Sequence, residues 1–386
     1  MSALGRLRRI RLVVHRWIGI GLCLAFIPLG LSGSYLVWRG EIERAVHPAR
    51  YPANAAPAAL PASAYLAAAQ AAFGERASPS VLRLPERQGD PVVVTGQGRR
   101  DARGPGASSG RGRLQRPPGL TAWLDPASGR PLDVGDPRSG LSGWMHDLHG
   151  QLFMFGGGRR LVGWIGWAML ASSLTGLWLW WPRTGSVVAG LGWRRMGVLQ
   201  NLHYLIGAWM VAPLAVLALT GALIAFPGFT RATVALVAPV GPPRAGGPGR
   251  NGQPLARTRL SADEAVAAAR AAVPDGRLLM LSVPTRGASA PAWKVQLARA
   301  SAPPATVVVA DEPGAGAALQ PAPAQRAGDS LIRLNRTVHD GNGMALVWKL
   351  IISLAGAAPT LLALTGVSIW ASRRLRRPSA EAQRAD

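Results

Sequence analysis

Cysteine, lysine and acidic residues are what this chain of 386 residues lacks. Its single cysteine, Cys23, excludes an intrachain disulfide, a cysteine-ligated zinc site and a cysteine-held iron–sulfur cluster. No Cys-x-x-Cys-His stretch is present, so c-type haem attached through cysteines is excluded too. Charged residues make up only 16% of the chain, against about 25% in ordinary soluble domains. Lysine is nearly absent, and 19 acidic residues face 43 basic ones, a formal net charge of +24. So little charge beside long apolar runs excludes an ordinary cytosolic enzyme. A hydrophobic share of 48% excludes a disordered chain.

The apolar residues are gathered into four stretches, each long enough to cross a bilayer, which takes about 20 residues. They cover 12–38, 159–182, 202–226 and 343–371. Trp38, Trp180, Trp181 and Trp370 stand at their ends, where an interfacial aromatic belt places them. The first stretch is too long for a signal peptide and has no clear small-residue cleavage site. Arginines then set the orientation. Arg6, Arg8, Arg9, Arg11 and Arg16 lie at the start, Arg183, Arg194 and Arg195 in the middle, and Arg373, Arg374, Arg376, Arg377 and Arg384 at the end. Only two acids, Glu381 and Asp386, share those segments. The positive-inside rule therefore makes 1–11, 183–201 and 372–386 cytoplasmic and sends 39–158 and 227–342 to the other side. The basic charge is largely a topology signal, and nucleic acid is not an expected partner. Membrane lipid is.

The spans repeat. His15 and Gly33 are 18 residues apart, as are His203 and Gly221. His149 and Gly176 are 27 apart, as are His339 and Gly366. Gly176-to-Trp180-to-Arg183 spacing recurs as Gly366, Trp370 and Arg373. These matches predict a duplicated two-span unit with an offset near 190 residues and copies of like orientation. The long segments repeat more faintly. Ala62–Glu75 and Ser261–Val273 read as helices, the second with a Ser261/Glu264 capping box. Strands are expected at Pro91–Thr95, Thr121–Leu124, Trp293–Leu297 and Thr306–Val309, so each segment predicts a small α+β lobe. The Gly- and Arg-rich stretch 96–119 and the stretch 240–257 read as flexible excursions.

Four of the six histidines, His15, His149, His203 and His339, occupy the matched positions. A lone interfacial histidine is ordinarily a satisfied polar contact, but four in register are costly to keep near a membrane and point to function. Sidedness pairs them: His15 with His203 on the cytoplasmic face, His149 with His339 on the other. Two pairs suit two bis-histidine haems, because a neutral imidazole nitrogen ligates iron. Eighteen residues is five helical turns, so Gly33 shares a face with His15 about 27 Å along, and Gly221 does the same for His203. Such a side-chain-free position leaves room for the other porphyrin, or merely for close helix packing. Gly156-Gly157-Gly158 interrupts any helix from His149 into the next span, which places His149 and His339 at the membrane surface. His146 is an alternative to His149, although the ungapped repeat favours the latter. Arg159 and Lys349, also 190 apart, are candidate partners for haem propionates. His47 has no match and reads as a surface residue.

The His-Arg-Trp-Ile-Gly start, the Leu-Thr-Gly triplets, Asp147-Leu148-His149-Gly150 and His339-Asp340-Gly341 together resemble the PepSY-associated transmembrane family of bacterial inner-membrane proteins. Ser261–Val273 and Leu120–Asp133 are similar to the helix and closing strand of PepSY modules. The resemblance implies a mainly α membrane protein with two periplasmic PepSY-like lobes. It further implies two haems b, held by His15, His203, His149 and His339, and a haem-dependent ferric-siderophore reductase as the activity. The implied partners are a ferric siderophore or other ferric chelate and an external electron donor, either a quinol or a cytoplasmic reductase. No nicotinamide fingerprint is present. Two other classes stay open: a non-enzymatic scaffold whose lobes bind a periplasmic partner, and an accessory subunit for iron transport. The scaffold has no use for four matched histidines, and a transporter calls for mid-membrane ionisable residues that these spans lack.

Overall fold

The structure, a computed structural model, describes residues 3–52, 56–98, 119–154, 156–181, 186–242, 252–286, 290–300, 302–314, 316–320 and 326–375. Most of the expected excursions (99–118 and 243–251), Arg183 and the tail from 376 lie outside the described residues. In chain order the elements are α1 (Ala3–Val37), α2 (Arg39–Val46), a single 3-10 turn (Pro48–Arg50), α3 (Ala62–Phe73), β1 (Ala77–Arg83), β2 (Val92–Gly98), β3 (Leu120–Leu124), β4 (Pro131–Gly135) and α4 (Leu141–Gln151). There follow α5 (Gly158–Trp180), α6 (Val187–Gly190), α7 (Val198–Ala225), α8 (Pro227–Ala235), α9 (Ala262–Ala272), β5 (Arg277–Ser282), β6 (Ala292–Ala298), β7 (Ala305–Ala310), β8 (Ala317–Gln320), α10 (Ala327–Asp340) and α11 (Leu346–Leu375). They form two compact units, one of Met1–Arg39, Ser142–Val240 and Arg326–Asp386, the other of Gly40–Leu141 and Gly241–Gln325.

The first unit holds α1, α5, α7 and α11, each long and apolar enough to span a bilayer. The protein is a multi-pass membrane protein. Apolar burial cannot drive helices together in lipid, so close approach and polar contacts must do so. Both are present between α1 and α11. A side chain on Gly30 would run into the Gly356 carbonyl, and Ser34 donates to the Ser353 carbonyl at 2.8 Å. Trp38 Nε1 donates to the Ser353 hydroxyl at 2.7 Å. Pro28, Pro213 and Pro359 lie inside three of the four spans. Helices of membrane proteins tolerate this because neighbouring groups take up the freed carbonyls.

Two short helices accompany the spans. α4 ends where Leu152 and Phe153 adopt left-handed backbone at φ 50° and 56°, with Gly156 at φ 102°. The chain thereby reverses before α5 begins, so the expected break at the glycine run is present. Tyr35 and Ser142 hydroxyls, 2.9 Å apart, tie α4 to α1. α10 ends on Gly341 in the left-handed conformation, a common helix stop. Asn335 donates to the Thr220 carbonyl at 3.3 Å and holds α10 to α7.

The second unit is one antiparallel sheet of eight strands in the order β4-β3-β2-β1-β5-β6-β7-β8. The strands expected from alternation appear as β2, β3, β6 and β7. Each long segment supplies four strands and a helix, but they do not make separate lobes. β1 pairs with β5 through Val81↔Ser282, Leu82↔Leu281 and Arg83↔Met280 and fuses them. The reason is exposure. A four-stranded half ending on β1 or β5 would leave a long unpaired edge rich in apolar residues. One core, from Tyr65, Phe73, Leu82 and Val94 to Leu281, Val295 and Val307, runs across both halves beneath α3 and α9. The capping box forms: Ser261 Oγ accepts from Glu264 N, and Glu264 accepts from Ser261 N at 2.7 Å. Asp263 also accepts from the Ser63 backbone N–H and hydroxyl, joining the starts of α3 and α9.

Candidate functional site

The four matched histidines meet in two pairs. The rings of His15, on α1, and His203, on α7, have centroids 6.3 Å apart and planes at 82°. Those of His149, on α4, and His339, on α10, stand 6.1 Å apart at 38°. A metal–imidazole bond is about 2.0–2.1 Å, and the ring centre lies about 1.1 Å behind the ligating nitrogen, so two rings on opposite sides of one metal would stand about 6.3 Å apart. Both pairs have that separation.

Each ring is seated on a glycine of another helix. A Cβ at Gly176 would lie 3.1 Å from His15 Cε1, and one at Gly366 3.2 Å from His203 Cε1. At Gly33 and Gly221 it would come within 2.9 Å of the His149 and His339 rings. Gly33 receives the His149 imidazole and Gly221 that of His339. No residue larger than glycine fits at the latter two without displacing a ring.

The seat also fixes the proton. His15 Nδ1 lies 3.0 Å from the Ser172 carbonyl and 3.3 Å from Thr175 Oγ1. His149 Nδ1 lies 2.9 Å from the Leu29 carbonyl and 3.4 Å from Ser32 Oγ. Thr365 Oγ1 is 3.0 Å from His203 Nδ1, and Thr220 Oγ1 is 2.9 Å from His339 Nδ1. For His15 and His149 the carbonyl is four residues before the glycine, and in all four cases the hydroxyl is one before it. A carbonyl only accepts, and the Thr365 and Thr220 hydroxyls spend their own hydrogens on the Leu361 and Val216 carbonyls and so accept as well. Nδ1 therefore carries the hydrogen, and Nε2 keeps the lone pair that binds a metal. Among the described residues no Nε2 of the four makes a hydrogen bond.

Burial is the main reason the His149 and His339 rings, outside the spanning helices, are held below the ordinary histidine pKa. A neighbouring histidine, His146 for the first and His149 for the second, pushes the same way. Both rings are neutral at pH 7, the ligating form. No group of three or more His, Cys, Asp or Glu is gathered for metal binding among the described residues. A bare zinc ion, which takes four ligands, is poorly served by such pairs. A metal whose four equatorial positions belong to a macrocycle needs only the two.

The remaining candidates are dispersed. His146 is exposed on α4 and faces no histidine ring across the site. Arg159 donates to the Ile224 carbonyl at 2.6 Å, and Lys349 stands 5.0 Å from the Trp38 ring centre. His47 lies 3.8 Å from Glu43. The part of the site that sequence reasoning misses is the hydroxyl ahead of each glycine. Its signal is present, because Leu31-Ser32-Gly33, Leu174-Thr175-Gly176, Leu219-Thr220-Gly221 and Leu364-Thr365-Gly366 all carry Ser or Thr there.

No curated protein matches the chain. The model of the PepSY-associated TM region matches residues 12–373, nearly its whole length, and the chain belongs to that family.

Proposed function

We propose that this protein is a di-haem b electron-transfer protein of the bacterial inner membrane that reduces periplasmic ferric siderophore. The observation that carries the reading is the pair of histidine pairs: ring centres 6.3 and 6.1 Å apart, with every Nδ1 tied and every Nε2 left to ligate. In this reading the chain is a duplicated two-span unit, both termini and 183–201 are cytoplasmic, and 39–158 and 227–342 are periplasmic. The arginine distribution supports that orientation.

Bound haem supplies the one-electron chemistry. The residues of this chain hold, orient and insulate. His15 and His203 come from two spanning helices and form the cytoplasmic-side station. His149 and His339 come from α4 and α10, outside the spans, and form the station a bulky polar chelate can approach. α1 carries a ring for one station and a seat for the other, and so does α7, which fixes the spacing between them. One electron enters from a quinol or a cytoplasmic reductase for each Fe(III) reduced to Fe(II). Hard-oxygen ligands hold Fe(II) more weakly, so reduction frees the metal.

The decisive measurement is the absorption spectrum of the purified protein in detergent. A reduced, split b-type α band at two haems per chain is expected, bleached on adding a ferric chelate. A protein without that band refutes the reading. His149→Ala or His339→Ala should abolish chelate reduction while leaving the His15–His203 haem reducible from the cytoplasmic side.

A further inference from the structure

We propose that Ser32, Thr175, Thr220 and Thr365 are positioning residues that hold the ligand histidines in one tautomer and set the potential of each haem; this rests on the di-haem reading. The hydroxyls do not act as donors to the rings. Each spends its own hydrogen on the preceding helical turn: Ser32 on the Pro28 carbonyl at 2.6 Å, Thr175 on Ala171 at 2.8 Å, Thr220 on Val216 and Thr365 on Leu361, both at 2.7 Å. That leaves only oxygen lone pairs facing Nδ1. Hydroxyl and backbone carbonyl together form a two-acceptor fork for the His15 and His149 N–H, and the hydroxyl accepts the N–H of His203 and His339. A ring flipped about its Cβ–Cγ bond would turn the Cδ2–H toward these acceptors and forfeit the bond.

The acceptors also change the ligand. An imidazole whose N–H is drawn toward an acceptor is the more basic at its other nitrogen. A more basic axial ligand favours Fe(III) over Fe(II) and lowers the potential. Removing the hydroxyl takes an acceptor away from the ring N–H, so the potential rises. The distances rank the effect: Thr220 at 2.9 Å and Thr365 at 3.0 Å, then Thr175 at 3.3 Å, then Ser32 at 3.4 Å. They also assign it. Thr175 and Thr365 serve the His15–His203 station, and Ser32 and Thr220 serve the other.

The test is a redox titration of the full-length protein, following the two α-band components separately, for Thr220→Val, Thr365→Val, Thr175→Val and Ser32→Ala. Valine keeps the shape of threonine and removes only the hydroxyl. Thr175→Val and Thr365→Val should raise the midpoint of the same component, Thr220→Val that of the other, and Ser32→Ala should give the smallest rise. Thr220→Ser and Thr365→Ser should restore wild-type midpoints. Unchanged midpoints in the valine variants, or Thr220→Val and Thr365→Val moving one shared component, overturn the assignment. If a valine variant loses its haem, recovery in the serine variant supports the hydroxyl, and loss in both shows that the hydroxyl, which serine keeps, does not suffice to hold the ring, which overturns it. Wild-type protein with two haems separates these outcomes from failure of the di-haem reading, which instead shows as a missing b-type band.

Discussion

The two histidine pairs share a seat and differ in how their rings are delivered. His15 and His203 are turns of spanning helices, so their positions follow from the packing of α1 and α7 against α5 and α11. His149 and His339 ride on α4 and α10, short helices that stop on left-handed residues and are tied to α1 and α7 by the Tyr35–Ser142 and Asn335–Thr220 contacts. A glycine with a hydroxyl one residue before it receives all four. What recurs is therefore the seat, while the source of the ring differs between the pairs. The first pair is built into the membrane helices. The second depends on two added pieces of chain staying docked.

The largest expected effect comes from removing a ring. His15→Ala and His203→Ala should each remove the same haem, since either change leaves one axial ligand. The double variant should then lose no more absorbance than either single one. If the double variant loses two haems' worth while each single loses one, the pairing seen here is wrong.

Next come the seats. Alanine at Gly33 or Gly221 puts a Cβ 2.9 Å from a ring carbon, closer than real Cβ contacts come, whereas Gly176 and Gly366 offer 3.1 and 3.2 Å. Overpacking of this kind costs about 1–3 kcal/mol. Gly33→Ala and Gly221→Ala should therefore deplete the His149–His339 haem, read by pyridine haemochrome content. Gly176→Ala and Gly366→Ala should leave theirs in place with a lower melting temperature at most. Equal losses at all four glycines would mean the docked helices are as rigidly fixed as the spanning ones.

The sequence shows the seats more clearly than the helices that bring rings to them. Spans are legible because twenty apolar residues have few other uses, and the matched His-to-Gly spacings single out all four paired histidines. Ser32, Thr175, Thr220 and Thr365 are visible as letters, but their role is not, because a hydroxyl that bonds its own preceding turn looks like any helical Ser or Thr. α4 and α10 are hidden for a different reason. At 11 residues and of mixed polarity, α4 carries little periodic signal, and α10, at 14 residues, is amphipathic but too short and too polar to stand out beside the spans. The single sheet is hidden by range. β1 meets β5 across some two hundred residues of chain, and neither strand alternates cleanly between buried and exposed positions. Pairing of that kind is set by tertiary context and not by local pattern.

A subtler contrast lies in the ring planes, 82° apart in the first pair and 38° in the second. Near-perpendicular axial imidazoles leave the iron d orbitals close to degenerate, and more parallel ones split them. Low-temperature electron paramagnetic resonance of the oxidised protein should show one highly anisotropic low-spin signal and one more rhombic one. His203→Ala should remove the first and His339→Ala the second. Two identical signals would mean that the angles are equalised when the metal is held.

The smallest effect is expected at His146, and it tests the ring that sequence alone left in competition. His146 sits three residues before His149 on α4, close enough that a proton on it disfavours one on His149. It is nevertheless exposed, while the Gly33 seat and the Leu29 carbonyl at 2.9 Å are taken by His149. A ring displaced three residues along a helix is turned by about 60° and raised by about 4.5 Å, so it cannot use the same seat without moving the whole of α4. His146→Ala should therefore keep both haems and leave the α-band shape unchanged. The most it should do is ease protonation of His149, so that the His149–His339 haem is lost at slightly higher pH on acid titration. Loss of that haem at neutral pH in His146→Ala, with His149→Ala sparing it, would reassign the ligand and show that α4 docks one turn out of the register seen here.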